Sequence, residues 1–269
     1  MASDKPIPLL SSALIETHCH LDSLKEGPIA ELLEKTRQQG IEQLITISTS
    51  PENYDTVLEY AKTYPDVYCT QGVHPHSASQ WSTAASEHLI RNAAHSKVVA
   101  IGEIGLDYHY YYSTKEQQIV AFKEQLEIAI KLDLPVVIHS RDADEDMEEI
   151  LNEMAPRMNK KGVIHSFTSG EQLARTALAL GFHLGFNGII TFNNAQNVRD
   201  VLKLTPLDKI LFETDAPYLT PTPYRGRPNA PFYLPMVALK VAEVKEIKLE
   251  ELLPIVHQNS QTLFGLPAK

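Results

Sequence analysis

Histidine and carboxylate residues that recur along the chain form a set whose chemistry is that of a metal site. They are His18, His20, Glu103, His139, His165 and Asp215. Imidazole and carboxylate groups are the usual ligands of Zn, Mn and related divalent ions. If these side chains meet, unpaired imidazoles and mutually repelling carboxylates are costly without a cation to satisfy them. The residue types therefore predict metal-assisted chemistry, provided that the fold brings them together.

The first two members of the set form a His-x-His pair, His18 and His20. In extended backbone, residues i and i+2 face the same side, and residue i+1 faces the other. The two imidazoles can therefore share one ion, and Cys19 is expected to point away from it as a small buried side chain. Each of the six residues, taken alone, also has an ordinary structural explanation such as a hydrogen-bonded histidine or a turn cap. The joint pattern favours the metal site.

All six residues lie at the end of, or just after, short apolar runs that have the composition of β-strands. These runs span residues 13–17, 43–48, 67–72, 98–103, 135–139, 162–165, 182–185 and 209–213. Longer stretches with helical patterns lie between or after them, at residues 28–39, 54–64, 114–132, 142–154, 234–246 and 249–263. The stretch 114–132 is the clearest, because its apolar residues recur at helical spacing.

Eight strand-like runs joined by helical crossovers predict parallel strands, since only a crossover returns the chain to the same direction. A doubly wound open sheet shares this alternation. The count of runs and the length of 269 residues favour a (β/α)8 TIM barrel of the α/β class, with residues 1–269 as a single domain. A parallel barrel gathers its active site at the C-terminal ends of its strands, and the metal site is predicted there.

The composition limits the classes of function. With 34 acidic and 24 basic side chains, the chain carries a formal charge of -10, which argues against binding nucleic acid by diffuse basic charge. A nucleic-acid enzyme whose positive charge comes from metal ions remains open. Two cysteines are too few for a disulfide framework, so a reducing, cytoplasmic location is expected. The charge-free stretch 176–198 is too rich in glycine and asparagine for a membrane span and is interpreted as a strand with loops.

The motifs around these residues resemble those of the TatD family of metal-dependent deoxyribonucleases, within the amidohydrolase superfamily. The matching segments span nearly the whole chain, and they read Glu16-Thr-His-Cys-His-Leu-Asp22, Gly72-Val-His-Pro-His76, Ile101-Gly-Glu-Ile-Gly-Leu-Asp107, Ile138-His-Ser-Arg-Asp142, Ile164-His-Ser-Phe167 and Glu213-Thr-Asp-Ala-Pro-Tyr218. One departure is Asn229-Ala-Pro231, where many relatives read Asn-Glu-Pro, so no role of that glutamate is carried over.

The resemblance implies a centre with two divalent ions, whose identity as Zn, Mn or Mg the sequence leaves open. One ion would be held by His18, His20, Glu103 and Asp215, and the other by Glu103 as a bridge with His139 and His165. It further implies hydrolysis of DNA phosphodiesters, often as a 3'-5' exonuclease acting on single strands or frayed ends. Asp215 and Glu103 are the expected catalytic carboxylates, because Asp215 can also accept a proton from the attacking water. A monomer without membrane contact is favoured.

Candidate substrate contacts rest on weaker patterns. The family pattern implies that His74 contacts phosphate, whereas the alternative is a structural histidine beside Pro75. The guanidinium groups of Arg141, Arg225 and Arg227 suit phosphate oxygens, although loop arginines are commonly only solvated. A cluster of tyrosines just after Glu103 fits either stacking on unpaired bases or a packed loop; it comprises Tyr108, Tyr110, Tyr111 and Tyr112.

Two other classes of function stay open from the sequence. One is another binuclear hydrolase of the same superfamily, acting on an amide, a phosphotriester or an aminoacyl-tRNA ester. Many of those enzymes bridge their ions with a carboxylated lysine, and Glu103 at the end of the fourth predicted strand favours the TatD-like branch. The other is a metal-binding protein without turnover, which a degraded ligand set would indicate. No member of the ligand set is degraded in this sequence.

Overall fold

The computed structural model describes residues 6–25 and 27–268. Its strands form one parallel sheet in chain order, and they are β1 (Leu14–Cys19), β2 (Ile41–Thr46), β3 (Val67–Gln71), β4 (Val98–Asp107), β5 (Val136–Arg141), β6 (Gly162–Ile164), β7 (His183–Phe186) and β8 (Ile210–Phe212). The sheet closes where Cys19 bridges to Ala216, next to a 2.8 Å hydrogen bond from the His20 amide to the Ala216 carbonyl. The predicted (β/α)8 barrel is confirmed.

Helices follow the strands and cover the outside of the barrel. They are α1 (Ile29–Gln38), α2 (Tyr54–Thr63), α3 (Thr83–Ala93), α4 (Lys115–Leu132), α5 (Asp144–Met154), α6 (Glu171–Ala179), α7 (Gln196–Leu204), α8 (Leu234–Lys245) and α9 (Leu249–Phe264). The six predicted helical stretches are all present. The sequence pattern does not predict α3, α6 or α7, and the stretch 176–198 contains the end of α6 and the start of α7 in addition to the expected strand β7.

The start of α4 shows how local sequence fixes an element that the site depends on. The Thr114 side chain accepts from the Gln117 amide, and the Gln117 side chain accepts from the Thr114 amide, which is a capping box. Inside the helix, the Gln118 side chain donates to the Asp107 carbonyl at 2.9 Å and accepts from the Asp107 amide at 2.8 Å. The beginning of α4 is therefore bound directly to the C-terminal end of β4.

One hydrophobic cluster takes buried residues from seven of the eight strands and from the end of α9. Its members are Ile15, Ile45, Ile47, Tyr68, Val99, Ala100, Val137, Val163, Leu211, Phe264 and Leu266. Side chains from so many strands can only meet inside a closed barrel. The barrel is therefore a packed core at this level, and the polar cluster described below lies at its other end.

No helix in the described ranges, 6–25 and 27–268, is long and apolar enough to cross a membrane.

Candidate metal centre

Glu103 lies at the middle of the polar cluster because of an irregularity in β4. Gly102 pairs with Val137 and Ile104 pairs with Ile138, so Glu103 is an extra residue with no partner on β5. A bulge of this kind re-aims a side chain and is common beside active sites. The Glu103 amide still donates to the Ser48 carbonyl at 2.8 Å, which holds the bulge in place. The residue is 3% exposed, so its carboxylate is directed into the protein interior at the barrel mouth.

The first oxygen of this carboxylate faces the His-x-His pair. Glu103 Oε2 lies 3.5 Å from His18 Nε2 and 3.9 Å from His20 Nε2. Asp215 Oδ1 lies 3.6 Å and 3.3 Å from the same two nitrogens. The structure thus brings His18, His20, Asp215 and one oxygen of Glu103 into one group. Asp215 reaches it from the loop after β8, where its amide donates to the His18 carbonyl at 2.9 Å.

The second oxygen of Glu103 faces three other imidazoles. Glu103 Oε1 lies 2.7 Å from His165 Nε2, 3.1 Å from His139 Nδ1 and 3.4 Å from His74 Nε2. His139 and His165 are in the group that the sequence predicts. His74 was expected to contact substrate, yet the distance to Glu103 places it as close to the cluster as a ligand would be.

Two carboxylates outside the predicted set lie beside the imidazoles, and one of them, Asp107, orients its neighbours by hydrogen bonds. Asp107 Oδ2 lies 3.0 Å from His139 Nε2 and 2.9 Å from His76 Nε2, so the Nδ1 atom of His139 is left to face Glu103. On the other side, Glu213 Oε1 lies 3.7 Å from His165 Nδ1, beyond hydrogen-bond distance, and the Nε2 atom of His165 faces Glu103. A carboxylate partner such as Asp107 fixes the tautomer and the ring orientation of a metal-binding histidine.

Glu213 is itself fixed by hydrogen bonds and by close packing. Its Oε1 atom accepts from the Ser166 amide at 2.5 Å and from the Asn187 side-chain amide at 3.3 Å. A Cβ atom added to Gly185 would lie 2.3 Å from Glu213 Oε2, so glycine is the residue that leaves room for this carboxylate. Asp107 and Glu213 are not among the predicted site residues, although both lie inside the quoted motifs. Their one signal was proximity to the predicted ligands, Glu213 being two residues before Asp215.

The protonation states of the cluster follow from its burial and its charges. Burial opposes the ionised form of Glu103, but His165 and His74 outweigh it and hold the pKa of this carboxyl well below its usual range. Burial, together with the neighbouring His165, lowers the pKa of His18. At His20, His139 and His165 the carboxylates outweigh burial and raise the pKa of the imidazole. Because an ionised carboxylate and a neutral imidazole are the forms that bind metal, an ion would displace protons from these three histidines. Burial also raises the pKa of Glu16, below the cluster, to about 8.

The cluster is able to bind metal. Three groups of residues have ligand atoms within 4.8 Å of one another: His18, His20 and Asp215; His18, Glu103 and His165; and His74, Glu103 and His139. The two ring nitrogens of His18 are buried and have no hydrogen-bond partner. A buried imidazole without a partner is costly, and a cation beside it would satisfy the nitrogen that faces Glu103 and Asp215.

Cys19 lies outside this cluster. Its side chain is fully buried among residues of α1, α2 and β2, and its Sγ atom faces the Ile45 carbonyl at 3.6 Å. Burial raises the pKa of the thiol well above its usual value. A thiol without thiolate character is a poor ligand. This placement agrees with the expected alternation along β1.

A cavity of about 810 Å³ opens above the cluster. Arg141 is among the residues that line it, as are His74 and His76. The structure does not bring Arg225 or Arg227 to this lining in the part of the chain that it describes. Arg225 places its guanidinium 3.8 Å from the centre of the Phe192 ring, and both arginines are exposed.

A (β/α)8 barrel with a His, Glu and Asp cluster at the C-terminal ends of its strands is the architecture of a metal-dependent hydrolase. The comparisons with known proteins give the family. The profile of the family described as TatD related DNase matches residues 15–265. The chain belongs to this family, and the resemblance stated from its motifs is confirmed.

Individual relatives match over nearly their whole length. The chain is 36% identical over 254 residues to the uncharacterized metal-dependent hydrolase YabD of Bacillus subtilis (strain 168), covering 94% of this chain and 99% of that protein. It is 37% identical over 243 residues to the 3'-5' ssDNA/RNA exonuclease TatD of Erwinia amylovora, covering 88% and 93%. The crystal structure of YjjV, a TatD homolog from Escherichia coli K12, superimposes with a TM-score of 0.87 at 33% identity, covering 94% and 98%.

Proposed function

We propose that this protein is a deoxyribonuclease that hydrolyses phosphodiester bonds at the 3' end of single strands or frayed duplexes, using two divalent metal ions. The observation that carries the proposal is the division of Glu103 between two imidazole groups, with Oε2 toward His18 and His20 and Oε1 toward His139 and His165. One carboxylate facing two ligand groups is the arrangement of a bridging ligand. The name of the Erwinia relative supports the substrate class and the direction.

The ligands divide into two sets in this proposal. His18, His20, Glu103 and Asp215 would hold one ion; Glu103, His139 and His165 would hold the other. Two divalent ions at such a centre supply a water of lowered pKa and stabilise the charge on attacking and leaving oxygens. The ions would be Zn, Mn or Mg, and the mixed imidazole and carboxylate ligands suit the first two better than Mg.

The chain's own groups account for proton transfer and for positioning. The Asp215 side chain is 13% exposed, more than the 4% of Glu103, so it is the cluster carboxylate to which water in the cavity has access. We assign to Asp215 the acceptance of a proton from the attacking water. Asp107 holds His139 in place by the hydrogen bond described above, and Glu213 places a second negative charge beside His165.

His74 is proposed to contact the scissile phosphate, with Arg141 on the cavity wall. The position of His74, 3.4 Å from Glu103, also allows it to be a ligand of the second ion. The metal content of His74→Ala decides between these roles. A ligand would be needed to retain the second ion, whereas a phosphate contact would raise KM with the ions in place.

The proposal is tested with oligonucleotides labelled at either end. The metal-free protein should be inactive, and adding Mn or Zn should restore stepwise shortening from the 3' end, seen as a ladder with a 5' label and as release of mononucleotide with a 3' label. Duplex DNA with blunt ends should be degraded more slowly, because a strand end enters an enclosed cavity more readily than an intact duplex does.

Variants of Glu103 and of a matched surface residue control for contaminating nuclease. Glu103→Gln should lose activity by about 100-fold or more, in the range of losses seen when charge stabilisation at a reacting centre is removed. Glu59→Gln, at an exposed salt bridge on α2, should not change the rate. Faster turnover of a phosphotriester, an aminoacyl ester or an amide than of any oligonucleotide would refute the nuclease proposal in favour of another hydrolase of the superfamily.

We also place the protein in the cytoplasm, because its two cysteines are free and buried, which agrees with a reducing compartment.

A further inference from the structure

The loop between β4 and α4 presents exposed aromatic rings at the cavity mouth. Tyr110, Tyr111 and Tyr112 have 41%, 88% and 68% of their surface exposed. Tyr108, by contrast, is partly buried and donates its hydroxyl to Asp146. The structure therefore separates the tyrosine cluster into one anchoring residue and three whose side chains are largely exposed.

The exposed rings are not required to hold this loop. Asp107 Oδ1 accepts from the His109 amide at 2.9 Å and from the Tyr110 amide at 3.1 Å. At the other end, Ser113 Oγ donates to the His76 carbonyl at 3.1 Å and accepts from the Ser79 amide at 3.0 Å. The backbone is thus fixed at both ends by polar contacts, while the aromatic side chains between them face solvent.

Two of the exposed tyrosines pack against a histidine that adjoins the metal centre. The His76 ring lies 5.5 Å from the Tyr110 ring and 4.9 Å from the Tyr112 ring, and the two tyrosine rings lie 5.7 Å apart. His76 shares Asp107 with His139, which faces Glu103. Tyr110 is therefore separated from the ligand cluster by a single imidazole, and it lines the same cavity.

The positive charge available to a substrate in this cavity is small. Among the described residues that line it, Arg141 is the one lysine or arginine. Its guanidinium lies 5.1 Å from the centre of the Tyr110 ring, at a distance where a cation interacts with an aromatic face. A protein with a formal charge of -10 offers little long-range attraction to a polyanion, so a nucleic-acid strand must be held by other contacts.

We propose that Tyr110, with Tyr112 and Arg141 beside it, is a stacking platform for an unpaired nucleobase next to the scissile phosphodiester. This inference rests on the proposed nuclease function and adds the means by which single strands are recognised. A base inside a duplex has its faces covered by stacking on its neighbours and its edge held by pairing, so the platform selects unpaired ends whose bases are free to unstack. Stacking tolerates every base because each has a π-face, and the platform should therefore give little sequence preference.

The test compares Tyr110→Ala with its neighbour Tyr111→Ala in steady-state kinetics on a short 3'-ended single strand. Loss of a stacking contact should raise KM about 5- to 30-fold and change kcat by less than about threefold. Tyr110→Phe keeps the ring and should restore most of the affinity. Tyr111 is the more exposed residue and does not line the cavity, so Tyr111→Ala should match the wild type. Metal content should be equal in all four proteins.

A substrate with a single abasic position near its 3' end isolates the stacked base. The abasic position is moved along the strand, and KM is measured at each position for both proteins. At one position the abasic substrate should raise KM for the wild type but should not raise KM further for Tyr110→Ala, because both changes remove the same contact. Additive effects at every position, or equal KM values for Tyr110→Ala and Tyr111→Ala, would overturn the platform and leave the nuclease function intact. A wild-type protein that degrades no oligonucleotide would overturn both proposals.

Discussion

Replacing Asp107 by asparagine is the most direct test of how the second half of the centre is organised. Asp107 Oδ2 lies within hydrogen-bond distance of the Nε2 atoms of both His139 and His76, at 3.0 Å and 2.9 Å. Both histidines can donate to this carboxylate from Nε2, so Nδ1 of His139 is the nitrogen that would bind a metal ion beside Glu103. An asparagine that keeps its oxygen on the amides of residues 109 and 110 would present an NH2 group to the same rings. The imidazole would then have to accept at Nε2 and carry its proton on Nδ1.

The expected loss of metal affinity in Asp107→Asn follows from the role of a carboxylate that orients a metal ligand. Loss of a carboxylate that orients a ligating histidine costs 10- to 100-fold in metal affinity, about 1.4–2.7 kcal/mol. We expect the loss in Asp107→Asn to fall on one ion only, because the His18, His20 and Asp215 group has no contact with Asp107 in the described part of the chain. The fold should persist, since asparagine can still accept from the two backbone amides.

The assay is metal titration of the metal-free protein by calorimetry, with bound metal counted after dialysis. Asp142→Asn is the matched control, because Asp142 Oδ2 also accepts from a histidine, His109, at 2.9 Å, but that pair is exposed and lies away from Glu103. The control should bind metal like the wild type. If Asp107→Asn retained both ions at wild-type affinity, the assignment of His139 as a ligand oriented by Asp107 would be refuted.

Three further predictions concern other parts of the molecule. Cys19→Ala should keep activity within a few-fold, whereas His20→Ala should lose metal at the first site, as measured by metal content; a loss of metal in the cysteine variant would contradict the described orientation of β1. Arg141→Ala should raise KM for a single strand more than Arg227→Glu does, because only Arg141 lines the cavity, and steady-state kinetics would show the reverse order if Arg227 bound phosphate. Burial lowers the pKa of His183 to about 4. As pH falls, the His183 side chain therefore binds a proton in the unfolded protein at a higher pH than in the folded protein. The free energy of unfolding decreases as pH drops from about 6.5 to 4. His183→Gln should reduce that fall by about 1–3 kcal/mol in denaturant titrations, and equal slopes for both proteins would exclude the effect.

The barrel and the position of its polar cluster could be predicted from the sequence because both follow from periodicity and strand ends. Continuous apolar runs such as residues 136–138 indicate strands that are covered on both faces. Once the strands are parallel, the residues that end them must meet at one mouth. That is why His18, His139 and His165, on three separate strands or strand ends, lie close to Glu103 in the structure.

Features that depend on contacts between distant segments could not be predicted in this way. The pattern of residues 98–107 shows no sign of the bulge that frees Glu103 from the ladder with β5. Asp107 and Glu213 are ordinary acidic residues in sequence, and their role depends on which imidazole lies opposite them. Helix α3 buries only Ala85 and Leu89 in its interior face, a periodic signal too weak to identify it.

The charge distribution indicates how an acidic protein would receive the polyanionic substrate that we propose for this cavity. Glu103, Asp107, Glu213 and Asp215 all lie at the barrel mouth, and each faces at least one imidazole. Burial opposes protonation of His20, His139 and His165, but the carboxylates outweigh it and raise the pKa of each imidazole, so protons balance part of this negative charge when no metal is bound. Two divalent ions would add four positive charges, enough to neutralise these four carboxylates and to attract a phosphate at the ions themselves, while the formal charge of the whole chain stays negative. Metal loading should then control the binding of a strand end as well as its hydrolysis, and Tyr110 with Tyr112 would supply the contact that needs no charge.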